Sequence, residues 1–417
     1  MSTRASVRVG APLVGARPAQ HQRGFTLLEL MTALAIGSIV VGGLFGTMLM
    51  QQQSYMAQME LVEASQSARA ALDIIKQSLR TAGWGMIAAA GAGGIPAVGT
   101  CYSASLADQS MCDDQPAMNP GTSTVLSDRM RLVGITPGST FTRVTSDFSL
   151  SSNILVVTDP AQPPLQRQPL AVGDLAIISG QCNDTSGAVY NGVVKITNVR
   201  GGSNPGGALY SYQFDPVIAG YPPFTCTSVK DGFAFGKANI VEFYIDRSTV
   251  NPDKSAGSSP TVPQLRMITN RGGLDPFTGQ APVEQVVAND IENLQVRYGL
   301  DCGHVPLGQT CLNATSPAAD DIIDLVAPGQ QWCNDLQVIN CNTGMSQLEN
   351  QQRVMAVQVA VVPRTRELAR RILNNETKTT KGPPVNVFGS IVPGDGYKRW
   401  VYRATVALRN NQLAITQ

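Results

Sequence analysis

The sequence predicts an α+β fold: one long N-terminal helix, transmembrane in its first half, packed on an antiparallel β-sheet head with an additional β-rich insertion. Three observations predict it. From Phe25 to Met50 the run holds one formally charged residue, Glu29. That run passes without a break into a stretch whose apolar residues recur every three or four positions. Beyond it, short apolar runs of period two alternate with Gly, Pro and Asn clusters, the pattern of strands and turns.

The first run is long enough to cross a bilayer, which takes roughly 20 apolar residues as a helix. Met1–Gly24 carries Arg4, Arg8, Arg17 and Arg23 and no acidic residue, so it is expected to stay on the cytoplasmic side. A cleaved secretory signal has a shorter apolar core closed by a small-residue site, and neither holds here. The spanning helix is therefore kept. A carboxylate inside such a segment is costly, which makes Glu29 a functional candidate in need of a partner.

In the second half of the helix, Leu61, Ala64, Ala68, Ala71, Leu72, Ile75 and Leu79 form one face, with Gln66, Arg69, Asp73, Lys76 and Arg80 mostly elsewhere. Gly83 follows the last periodic turn, where a left-handed residue ends a helix. A helix from Phe25 to about Ala82 would be roughly 85 Å long at 1.5 Å per residue. Gly37, Gly42, Gly43 and Gly46 each cost about 1 kcal/mol in an exposed helix interior. They permit close helix packing or local melting, or are simply tolerated, as glycine is in membrane helices.

A Gly/Ala-rich connector, Ala88–Gly99, leads to the strands. Arg129–Ile135, Asn153–Asp159, Leu175–Ser179, Val193–Val199, Ile240–Ile245 and Ile291–Tyr298 are expected strands. Val354–Val362 is almost wholly apolar and reads as a central strand. In the last strand Trp400, Tyr402, Ala404, Val406 and Leu408 share one face. The helix would cover the buried face of this sheet. Gly201–Gly207 and Asn251–Pro260 read as flexible loops, and Glu376–Lys398 as a long one. The expected division is residues 1–24 leader, 25–50 membrane half of the helix, 51–83 amphipathic half, 84–239 β-rich insertion and first part of the head, and 240–417 C-terminal sheet.

Removing the four leader arginines from 31 basic residues leaves 27 against 30 acidic ones, a net of −3, which argues against a general electrostatic grip on nucleic acid. The cysteines are Cys101, Cys112, Cys182, Cys226, Cys302, Cys311, Cys333 and Cys341. They form no C-x-x-C pairs, and His304 is the sole histidine after Gly24, so no zinc site is expected. In an exported head they read as disulfides, with nearest-neighbour pairing expected: Cys101–Cys112, Cys182–Cys226, Cys302–Cys311 and Cys333–Cys341. One histidine gives no nucleophile–histidine constellation. Asp320, Asp321 and Asp324 read as a solvated acidic face, not a calcium loop. No phosphate loop follows a strand, so neither catalysis nor a cofactor is expected.

The stretch Gly24-Phe25-Thr26-Leu27-Leu28-Glu29-Leu30, with its basic leader, resembles the signal of type IV pilins and pseudopilins. Asp290–Asp301 and Arg399–Asn410 resemble segments of PilW-type minor pilins. The resemblance implies that prepilin peptidase cuts between Gly24 and Phe25 and methylates the Phe25 amine. Glu29 can neutralise that amine within its own subunit or on a neighbouring one, since two charges at close range interact strongly once water is excluded, and the resemblance favours the neighbour, as the docking step of assembly. The implied partners are other minor pilins, the major pilin, the inner membrane and a large tip adhesin. The implied place is the inner membrane with a periplasmic head, then the tip of a surface pilus. A minor pseudopilin of a type II secretion system and a tip adhesin are the alternatives.

Overall fold

The computed structural model describes residues 25–86, 97–99, 127–136, 141–144, 148–149, 153–158, 170–183, 189–204, 207–216, 227–230, 233–246, 262–270, 273, 280–281 and 284–302. It also describes residues 305–315, 324–325, 330–333, 343, 353–365, 385–387, 390–392 and 399–408. It divides into two compact units, residues 1–57 and 58–417.

Helix α1 (Leu27–Thr81) is the predicted long helix. Within residues 58–417 its apolar face is buried: Ala68, Ala71, Leu72, Ile75, Leu79 and Ala82 enter the largest core cluster. The helix stops where the sequence places its terminator, because Gly83 sits at φ +74° and its N–H bonds the Val133 carbonyl at 2.7 Å. Gly134 makes that close approach possible. A Cβ there would stand 2.8 Å from the Thr81 carbonyl oxygen.

The strands are β1 (Val98–Gly99), β2 (Met130–Ile135), β3 (Phe141–Val144), β4 (Phe148–Ser149), β5 (Ile154–Thr158) and β6 (Leu175–Gln181). Next come β7 (Val189–Asn204), β8 (Gly207–Asp215), β9 (Ser228–Val229), β10 (Phe233–Asp246), β11 (Gln264–Thr269) and β12 (Gln285–Asn289). β13 (Ile291–Leu300), β14 (Trp332–Cys333), β15 (Val354–Pro363), β16 (Val385–Val387), β17 (Ser390–Val392) and β18 (Tyr402–Ala407) complete the set. Every pairing between these strands is antiparallel.

β10 serves two sheets at once. Its C-terminal part, from Ala238, lies between β2 and β11, with Val241 and Phe243 facing the helix core. Its N-terminal part, Phe233–Lys237, lies between β3 and β6. From there the sheet continues through β7 and β8 to β5. β3 and β5 return beside one another. The strands thus roll around a second core containing Ile178, Val194, Tyr212, Phe214, Phe233 and Phe235. This roll is inserted between two adjacent strands of the head: Ile135 pairs Ala238, and the Thr136 N–H bonds the Lys237 carbonyl at 2.8 Å.

β6 is apolar on both faces because both are covered. Ala176 and Ile178 enter the roll, while Leu175 and Ile177 pack on Val133, Ile135, Ala238 and Ile240 of the head. The C-terminal sheet runs β14-β13-β15-β18, and Leu294, Val296, Tyr298, Val357, Val359 and Val406 place its inner face in the helix core. On the outer face β16 contributes Val387, which packs on Ala360 and Val362.

Two expectations change. Gly201–Asn204 belongs to β7, where Gly201 pairs Tyr210 and Asn204 pairs Gly207, so that glycine-rich stretch is strand and not a loop. On β10, Glu242 is buried on the face opposite Val241 and Phe243. Its carboxylate accepts two bonds from Arg131, at 2.9 and 2.6 Å, and one from Arg129 at 2.7 Å. Arg129 also lies over the Tyr244 ring, 4.9 Å from its centroid. Glu376–Lys398, expected as a long loop, holds the antiparallel pair β16–β17, with Val385 opposite Val392, and its other residues, like the expected loop Asn251–Pro260, lie outside the described residues.

Candidate assembly site

The N-terminal end of α1 is built by Thr26 and Glu29. Thr26 precedes the first helical residue, and Glu29 is the third residue of the helix. Their bonds are reciprocal. The Thr26 backbone N–H and its hydroxyl each donate to Glu29 Oε2 at 3.0 Å, and the Glu29 N–H donates to Thr26 Oγ1 at 3.3 Å. This is a capping box, in which threonine and glutamate satisfy backbone donors that a helix start otherwise leaves open. Its weight is greater in a bilayer, where water is not available to those donors. The hydroxyl can do both tasks because it has one proton to give and two lone pairs to receive.

Phe25 lies immediately outside the helix with 89% of its surface exposed, as are the side chains of Leu27, Leu28, Met31, Leu34 and Ile36. The helix contains a stretch long and apolar enough to cross a membrane. Among the described residues, no Cβ added at Gly37, Gly42, Gly43 or Gly46 would meet another atom within 4 Å, so no described residue places a packing demand on these glycines. Gly24 lies outside the described residues. Of the expected signal, the structure joins Thr26 to Glu29 and leaves Phe25 exposed beside them. Thr26 was missed as a site residue, although the spacing Thr-x-x-Glu at the start of an apolar run is itself the signature of a capping box.

In the head, Cys302 and Cys311 form a disulfide with their Cα atoms 5.3 Å apart. Cys182 and Cys333 each take part in a disulfide as well. Cys101, Cys112, Cys226 and Cys341 lie outside the described residues, as do His304, Asp320 and Asp321. Asp324 corrects the reading of a solvated acidic face. It is buried, and its Oδ2 accepts the Cys302 N–H at 2.8 Å, while its own N–H bonds the Leu300 carbonyl. Cys302, Cys311 and Asp324 are close enough for three metal ligands. The two sulfurs are bonded to each other and the carboxylate already serves a backbone donor, so this trio holds a loop in place. On the C-terminal sheet, burial together with the nearby charge of Arg403 pushes the Arg297 guanidinium pKa down.

Residues 19–45 match the family model of the prokaryotic N-terminal methylation motif. Residues 242–410 match that of Type IV Pilus-assembly protein W. The second match starts inside β10 and takes in β11 to β18, while the roll built by β3 and β5–β8 falls in neither match. No curated protein and no solved structure matches the chain.

Proposed function

We propose that this chain, a type IV pilin carrying a prepilin-type signal, is a minor pilin that helps to start pilus assembly and sits at or near the filament tip. Pilin-family domains are structural, and the role proposed is that of a subunit. The observation that carries the reading is the match of residues 242–410, the sheet that covers the helix, to Type IV Pilus-assembly protein W. The size of the head supports it. A subunit that tiles a filament must pack against copies of itself at short intervals, and a head with an extra rolled sheet and its own core is poorly suited to that. A few copies at the tip meet no such restriction.

In this reading prepilin peptidase cuts after Gly24 and methylates Phe25. The helix then holds the subunit in the inner membrane with its head in the periplasm. Glu29 meets the positive amine of a neighbouring subunit as the two helices enter the filament, and other minor pilins, the major pilin and a large tip adhesin are the partners. Deleting the gene and counting sheared surface pili, with tagged protein located on the filaments by immunogold, tests it. Few pili in the deletion strain and label confined to filament ends are expected. Normal pili with lost secretion of exported enzymes would instead make the chain a pseudopilin of a type II secretion system.

A further inference from the structure

We infer that the open edge of β18 receives an extended segment of a partner protein, one whose side chains alternate between apolar and acidic. The inference goes beyond the role proposed above and does not rest on it, since the edge belongs to the head whichever filament the chain serves. β18 ends the four-stranded sheet, and among the described residues no strand pairs its far side. The Leu408 N–H bonds the Met355 carbonyl at 2.8 Å, and the Trp400 N–H approaches the Pro363 carbonyl at 3.5 Å. Backbone groups alternate sides along a strand. Tyr402, Ala404 and Val406 therefore turn theirs to β15, and Thr405 and Ala407 turn theirs outward. Native sheets usually guard such an edge. In this head β1 and β14 are only two residues long, and β12 is bulged against β11. β18 runs six residues against β15 without a break in register and contains no proline.

What would pair there follows from the two faces of the strand. Tyr402 and Ala404 pack on the helix core yet stay partly exposed, so apolar side chains on an added strand would complete their cover. On the other face Arg403 and Thr405 are exposed, and Arg297, Gln358 and Thr405 share one rung across the sheet. Burial, and then the nearby charge of Arg403, pushes the Arg297 pKa down, so the two guanidiniums lie close together. Alternate side chains of an added strand would stand beside that positive charge, which suits carboxylates. Main-chain bonds then supply affinity and the alternating side chains specificity. A second copy of this chain fits less well, because antiparallel self-pairing through β18 would gather the arginines of both copies on one face.

The test uses the full mature chain in detergent micelles and two labelled synthetic peptides, valine alternating with glutamate and valine alternating with lysine. Hydrogen exchange resolved to single residues is the second readout. In the free chain the amides of Thr405 and Ala407 should exchange fast and that of Val406 slowly. The acidic peptide should protect Thr405 and Ala407 and bind about tenfold more tightly than the basic one. Arg403→Glu should reverse that preference. Thr405→Pro removes one outward N–H and leaves the bonds to β15, so it should weaken acidic-peptide binding by about tenfold while Val406 stays slow. If Val406 loses its protection in that variant, the charge reversal in Arg403→Glu decides alone. Slow exchange at Thr405 and Ala407 in the free chain overturns the inference, because the chain itself or a second copy would then fill the edge; light scattering tells the two apart. Binding of neither peptide, equal binding of both, or unchanged binding in a folded Thr405→Pro also overturns it.

Discussion

Replacing Glu242 by glutamine should destabilise the head by about 3 kcal/mol. The carboxylate is 1% exposed, and it is the shared acceptor of Arg131 on the neighbouring strand β2 and of Arg129 just before that strand. Arg131 is 7% exposed and donates through Nε and Nη2 to Oε1, whereas Arg129 is about a quarter exposed and donates to Oε2. Glutamine keeps the shape, removes the negative charge and turns one acceptor into a donor that faces a guanidinium. Removing one partner of a buried pair generally costs about 3–5 kcal/mol, because the other charge stays behind. The exposed part of Arg129 can rehydrate, so its share is small. That places the expectation at the lower end of the range, and Arg131 accounts for most of it. Urea unfolding of a soluble head fragment, residues 58–417, followed by tryptophan fluorescence and near-UV circular dichroism, gives the number. Glu242→Gln combined with Arg131→Met should recover part of the loss, since it removes the buried guanidinium that the single variant leaves without a counter-charge. A single-mutant change below about 1 kcal/mol, or a double mutant no better than the single, would refute the claim that Glu242 is held by buried guanidiniums.

Three further outcomes are expected. Gly24→Val should leave an uncleaved protein with its basic leader in the inner membrane, and N-terminal sequencing of a mature chain starting at Phe25 in that variant would contradict the proposed cleavage site. Changing Cys302 and Cys311 together to serine should cost the head about 2–3 kcal/mol, the loop-closure value for a bridge spanning nine positions, read as a lower urea midpoint with unchanged slope. Gly134→Ala should cost about 1–3 kcal/mol, because its Cβ would press on the Thr81 carbonyl and not on a movable side chain, and hydrogen exchange should show the last turn of α1 opening faster.

How far the sequence could be read depended on whether a residue's role was local. The helix, its terminator at Gly83 and the strands β13 and β18 follow from periodicity, since an apolar face of each meets one core, and β15 follows from its unbroken apolar run, since Val387 covers its second face. The signal around Glu29 was legible because a lone charge in an apolar run is rare. Glu242 was not legible: a charged residue inside a strand pattern reads as solvent-facing, and only its pairing opposite Arg131 explains its burial. Asp324 failed for the same reason, being grouped in sequence with Asp320 and Asp321 but committed in space to the Cys302 N–H. Gly201–Asn204 looked like a loop because glycine weakens an isolated strand. It holds as strand because β8 pairs it rung by rung, with Tyr210 opposite Gly201. The double use of β10 left no mark at all, because alternation reports which face a residue takes and is silent about the neighbour on either edge.

That double use governs how the two parts of the head affect one another. The roll enters and leaves the head through adjacent residues, Thr136 and Lys237, joined by a backbone hydrogen bond. The register of β2 against β10 is therefore set at Ile135–Ala238 and beyond, whatever lies between Thr136 and Lys237. Among the described residues two couplings stand out. One is apolar, with Leu175, Ile177 and Val193 of the roll packed on Val133, Ile135 and Ile240 of the head. The other is ionic, between Lys237 at the neck and the nearly buried Asp174, 3.1 Å apart. A substitution deep in the second core, such as at Phe214 or Tyr212, touches neither, and energy is transmitted mainly between groups in contact. The chain can thus carry a large additional surface on the roll while the sheet against α1 stays unchanged. This is the arrangement a subunit needs if one part of it must fit a filament and another must not.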